Sequence, residues 1–97
     1  MWMEQKAKQI LQPLTLTHES VKVKAYGAEV VIEYASLREN GTSRTNYLIE
    51  YLLKEGVVAM WDEDKPFIRL QPALNLDSTL WEYALTTLKN GVHNSYT

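Results

Sequence analysis

The sequence predicts an α+β domain: an antiparallel β-sheet built from two hairpins, with N-terminal, middle and C-terminal helices packed mainly on one face. Three observations carry this expectation. Ser20 to Tyr34 alternates apolar with polar residues about a glycine, Val57 to Leu70 places two short apolar runs about an acidic turn, and apolar residues recur at helical spacing towards both ends of the chain. Sheets and helical stripes that are apolar on one side must cover each other, and a helical layer on one sheet face does so economically.

Taken in order, residues 2 to 12 set Met3, Ala7, Ile10 and Leu11 at helical spacing between Glu4, Lys6, Lys8 and Gln9, and Pro13 is expected to stop this helix. Leu14 to Thr17 then alternates as if leading into a strand. A two-residue turn at Tyr26-Gly27 would set Ala25 opposite Ala28, Lys24 opposite Glu29, Val23 opposite Val30 and Val21 opposite Ile32. The β-branched run Val30, Val31, Ile32 favours strand over helix here.

Residues 42 to 53 admit two readings. A helix would start at the cap candidates Ser43 to Thr45, carry Tyr47, Leu48, Tyr51 and Leu52, and end at Lys54 with Gly56 just beyond. A third strand would instead turn at Asn40-Gly41 and set Tyr34 against Tyr47. The helix is preferred, because leucine is a strong helix former and both ends carry stop signals. Further on, Trp61 should face Ile68, and Ala59 should face Leu70, across the turn Asp62 to Pro66. Gln71 to Asp77 reads as a connector. Thr79 and Glu82 have capping-box spacing, and the stripe Leu80, Trp81, Ala84, Leu85, Leu88 is expected to end before Asn90-Gly91.

A chain of 97 residues is short for more than one core, so residues 1–97 are read as one small domain with 92–97 as a disordered tail. Hydrophobic residues at 45% and charged residues at 23% are ordinary globular values. A net charge of -2 and a pI near 5.6 give no general pull towards nucleic acid or anionic membrane. The lack of cysteine removes disulfides, thiolate catalysis and thiolate metal sites together, and fits a reducing compartment. The N-terminal stretch has no long apolar run, so a cytoplasmic location without membrane contact is expected. In that setting the glycosylation triplet Asn40-Gly41-Thr42 reads as a turn.

The candidate chemistry is sparse. Asp62-Glu63-Asp64 could offer oxygen ligands to a cation, but it lacks the glycine-containing calcium loop and reads as a solvated turn. His18 and His93 lie far apart in sequence and read as ordinary surface histidines. Ser36, Ser43 and Ser78 lack a nucleophile-elbow context, Glu29 has Lys24 to pair with, and the glycines are spaced singly rather than as a phosphate loop. No catalytic residue, cofactor or metal is therefore expected.

One stretch suggests a partner. Thr42 to Leu70, read as helix then hairpin, loosely resembles the recognition helix and wing of winged-helix DNA-binding proteins, and Gly41 to Asn46 resembles the start of the second helix in ribbon-helix-helix proteins. Each resemblance covers less than half the chain and implies that Arg44 and Asn46 would contact nucleic acid. The acidic wing tip would be repelled by phosphate, which disfavours this alternative. The leading expectation is a small non-catalytic protein-binding or regulatory module, such as an adaptor, a chaperone-like subunit or an inhibitor. Its partner would be another protein or a second copy, met through Tyr47, Tyr51, Trp61 and Trp81. An enzyme without a recognisable motif is the remaining alternative.

Overall fold

The computed structural model describes residues 2–62, 65–71 and 77–97. Along the chain run α1 (Trp2–Thr17), β1 (Lys22–Tyr26), β2 (Glu29–Glu33), α2 (Arg44–Lys54), β3 (Met60–Asp62), β4 (Lys65–Leu70) and α3 (Ser78–Ser95). The strands form one antiparallel sheet in the order β1-β2-β4-β3, so the two hairpins meet along β2 and β4. α1 lies against β1 and β2, α2 against β4, and α3 packs on both α1 and α2. This is the α+β architecture that the alternating runs and helical stripes imply.

Helix α1 is longer than Pro13 allows on local grounds. It runs through the proline to Thr17, and the His18 N–H reaches the Leu14 carbonyl at 2.9 Å. Proline inside a helix costs about 3 kcal/mol. Burial of Leu14 extends the stripe Met3, Ala7, Leu11 by one further turn and offsets that cost. The residues expected to lead into a strand are thus the last turn of a helix.

The first hairpin keeps its expected faces but not its register. Tyr26 pairs with Glu29, Ala25 with Val30 and Val23 with Ile32, a shift of two positions in the pairing sum that leaves the same side chains inside. Gly27 has φ 58° and, among the described residues, no residue other than glycine has positive φ. Glycine therefore occupies the first central position of the turn with Ala28 second, as a type II′ turn requires. The Gly27 N–H donates to Glu4 Oε1 at 2.8 Å, which ties the turn to α1. Lys24 accordingly pairs with Glu33 at 3.2 Å, and Glu29 pairs with Arg69 at 3.4 Å.

Residues 44–54 are helical. Ser43 caps α2 by accepting from the Asn46 N–H, and Gly56 follows its end at φ 79°. Trp61 faces Ile68 as expected, with a bulge between Trp61 and Asp62. Glu63 and Asp64 of the expected turn, and Pro72 to Leu76 of the expected connector, lie outside the described residues.

Helix α3 corrects two expectations. Its N-cap is Asp77, whose carboxylate accepts from the Leu80 N–H at 2.9 Å. It also continues through Asn90-Gly91 to Ser95, with Val92 and Ser95 buried where a disordered tail was expected. Gly91 serves close packing rather than termination: a Cβ there would lie 2.9 Å from the Tyr51 ring and 3.4 Å from Leu48, so its absence lets α3 approach α2.

Candidate functional site

The N-terminal turn of α2 faces the β3–β4 hairpin across an open cleft of about 710 Å³. One wall is built by the cap. Ser43 bridges back to Leu37, the Arg44 N–H donates to the Ser36 carbonyl at 3.0 Å, and Thr45 and Asn46 follow along the cleft. The other wall carries Trp61, Lys65 and Pro66. This lining offers hydroxyls, an amide, an indole and one ammonium group, with no carboxylate or imidazole among the described residues that line it. Such a set can bind and orient a polar or aromatic group, and the described lining contains no proton-transfer pair.

The four aromatic candidates do not form one patch. Trp61 stands half-exposed on the cleft, at 50%. Tyr47 and Tyr51 are half-buried on α2, stacked with ring centroids 6.1 Å apart, and the Arg38 guanidinium lies 4.2 Å from the Tyr47 ring. Trp81 is fully buried and its Nε1–H donates to the Met3 carbonyl at 2.9 Å, so it is a core residue and not a contact.

The two nucleic-acid candidates separate in the same way. Asn46 is exposed on the cleft, but Arg44 is buried. Its guanidinium donates to the carbonyls of Ala35, Leu37 and Ser95 and to Ser95 Oγ, and it lies 3.6 Å from the Tyr96 ring centroid. Every direction in which it could reach a base or phosphate is occupied by its own chain. Burial pulls its pKa below the ordinary arginine value, an effect opposed by Tyr96, and a guanidinium keeps its charge at such sites.

Two features escaped the sequence reading. His18 and His93, 75 positions apart, meet with Nε2 and Nδ1 at 3.0 Å, and Tyr96 stacks on His18 with centroids 4.5 Å apart. Burial, then His93 and Arg44, hold the His18 pKa below its ordinary value. Nothing local in the sequence announces this pair, since α1 and α3 bring it together.

The second feature lies on the sheet face away from the helices. Lys24, Val31, Arg69 and Met60 form one row across all four strands there, because each pairs with the next. Arg69 is held by Glu29 through one long contact of 3.4 Å, while its Nε is buried without a hydrogen-bond partner in the described structure. A buried unpaired donor costs about 1–3 kcal/mol, so it marks a place where a further acceptor would be favourable.

No family model and no curated protein matches the chain. Among solved structures it is similar to the lysine aminotransferase from M. tuberculosis in the internal aldimine form, with a TM-score of 0.74 and 14% identity over 95% of this chain and 20% of that one. It is similar to a thermostable six-fold mutant of the omega transaminase from Pseudomonas jessenii, with a TM-score of 0.74 and 13% identity over 97% of this chain and 22% of that one. An aminotransferase from Bacillus anthracis aligns with a TM-score of 0.68 and 17% identity over 94% of this chain and 23% of that one. The likeness is one of fold, and the chain spans about a fifth of the length of these enzymes.

Proposed function

We propose that this chain is a non-catalytic binding module that works as one unit of an aminotransferase-type assembly, docked on a larger body that carries the reaction chemistry. The observation that supports the reading is the fold likeness: nearly the whole chain superimposes on about a fifth of each of several aminotransferases. A unit of this size can cover a site and offer it side chains without holding a reactive centre. Arg69 is the side chain assigned to that task. The lysine in the name of the M. tuberculosis enzyme carries a carboxylate, and the Arg69 guanidinium, on a side chain about a third exposed and held by Glu29 through one long contact, can turn to receive such a group in the two-bond manner that arginine favours. The cytoplasmic location expected from the sequence belongs to the same reading. No helix among the described residues is long and apolar enough to cross a membrane.

A second reading keeps the chain as a free-standing adaptor or homodimer that binds through the Trp61 cleft, which the exposure of that indole favours. The test isolates protein complexes from the native source with this chain as bait and assays them for amino-group transfer from an amino acid to a keto acid. Transfer activity in the complex, lost in Arg69→Ala while the complex persists, is expected. A chain that brings down no such activity, and whose partner is lost in Trp61→Ala, would overturn the proposal in favour of the adaptor.

A further inference from the structure

The chain contains two Asn-Gly pairs, Asn40-Gly41 and Asn90-Gly91, and the fold places them in opposite environments. In such a pair the following backbone nitrogen can attack the asparagine carboxamide, because glycine has no Cβ to obstruct the approach. Backbone freedom decides whether it does. Asn40 and Gly41 are exposed, Gly41 has φ 81°, and a Cβ built on it would meet nothing within 4 Å. Asn40 Oδ1 accepts from the Thr42 N–H at 3.0 Å and from the Thr42 hydroxyl at 2.6 Å. Both bonds draw electron density from Cγ and fold the side chain back along the backbone that follows it. A single bond from the Gly41 N–H to the Arg38 carbonyl, 2.9 Å in an exposed loop, restrains the nucleophile, and water competes for it.

Asn90-Gly91 has the same chemistry but no such freedom. It lies inside α3, where the Gly91 N–H belongs to the helical ladder, and Gly91 is packed against Tyr51 and Leu48. Forming a ring through its backbone nitrogen would require that helix to open.

We propose that Asn40 is a site of spontaneous deamidation in the folded protein and that Asn90 is protected. The Gly41 nitrogen gives up its proton to solvent and bonds to Asn40 Cγ. The Cγ–Nδ2 bond breaks, and ammonia leaves with a proton returned by water. A five-membered succinimide remains, and water adds to one of its two carbonyls to open the ring as aspartate or isoaspartate. Either product adds one negative charge to the formal -2. Isoaspartate also lengthens the backbone inside a loop closed by the Arg38 N–H to Thr42 carbonyl bond of 2.8 Å. Leu37 and Ser43 flank that loop and line the cleft, so the modification alters a wall of it.

The test is peptide-resolved mass spectrometry after incubation at mildly alkaline pH, with the chain folded and, in parallel, unfolded in urea. Both pairs are expected to convert at similar rates in urea. In the folded chain Asn40 is expected to convert more than about tenfold faster than Asn90, whose reaction must wait for local opening. Thr42→Val should slow Asn40 and leave Asn90 unchanged. Folded Asn40 as inert as Asn90, or Asn90 converting at its urea rate, would overturn the proposal. An unchanged Asn40 rate in Thr42→Val would overturn the part given to that hydroxyl.

Discussion

Arg44 joins the start of α2, the segment after β2 and the last turn of α3 through one guanidinium. No carboxylate neutralises it among the described residues; carbonyl dipoles and the Tyr96 ring do so instead. Arg44→Ala should therefore cost roughly 2–4 kcal/mol, because three carbonyls lose a donor in a site closed to water. Arg44→Lys should recover only part of this, since an ammonium cannot replace the fork; urea titration of both variants measures it. Beside it, the depressed His18 pKa has a defined sign. Both states hold His18 neutral well above pH 6.5, and as pH falls through 6.5 the unfolded chain takes up a proton that the folded chain resists. Stability should thus fall from about pH 7 down to the folded-state pKa and then level off, and His18→Gln should flatten that limb of a plot of Tm against pH. Neither group was legible as a cluster in the sequence. An arginine at a helix start reads locally as exposed, and only the return of α3 buries it; the histidines meet for the same reason. The exposure of Asn46 was legible because it follows from its place in the first turn of a capped helix, whereas that of Trp61 depends on the sheet order, which puts β3 at an edge.

At the scale of elements, hydrophobic period was readable, while stop signals held for α2, which ends at Lys54 before Gly56, and failed for α1 and α3. The faces of the first hairpin and the Trp61-Ile68 pairing follow from alternation, which survives a shift of two residues, whereas the turn register depended on which central position the glycine takes. Pro13 and Gly91 are both genuine helix breakers, yet both lie inside helices because the turns beyond them bury Leu14 in one case and Val92 and Ser95 in the other. Gly91 gives the sharper test. Gly91→Ala gains intrinsic helix propensity of about 1 kcal/mol, but its methyl meets Tyr51 at 2.9 Å. Overpacking costs about 1–3 kcal/mol, so net destabilisation is expected. In a double-mutant cycle, Tyr51→Ala should remove the clash and let Gly91→Ala become stabilising; additive melts would show that the close approach of α2 and α3 does not limit this position.

Across the whole molecule, helices pack on one sheet face and, among the described residues, no element packs on the other or pairs with the outer edges of β1 and β3. Strand edges without a partner invite pairing with a second chain unless something discourages it. β3 does so by being three residues long and bulged. β1 is five residues long, and its outward side chains are Lys22, Lys24 and Tyr26, all exposed. The contact of Lys24 with Glu33 lies at the surface, where such pairs contribute little, so the lysines matter less for stability than for keeping other strands away. Two β1 edges brought together would place these lysines near one another without counter-charges to spare, and the repulsion is greatest at low salt. Replacing Lys22 and Lys24 by Val raises strand propensity and removes that repulsion, leaving a flat apolar edge beside Val31. The Lys22→Val, Lys24→Val variant should fold with its helix content unchanged yet form dimers or larger species in light scattering, increasingly at higher concentration. A variant that remains as monodisperse as the parent chain would show that some other feature guards this edge.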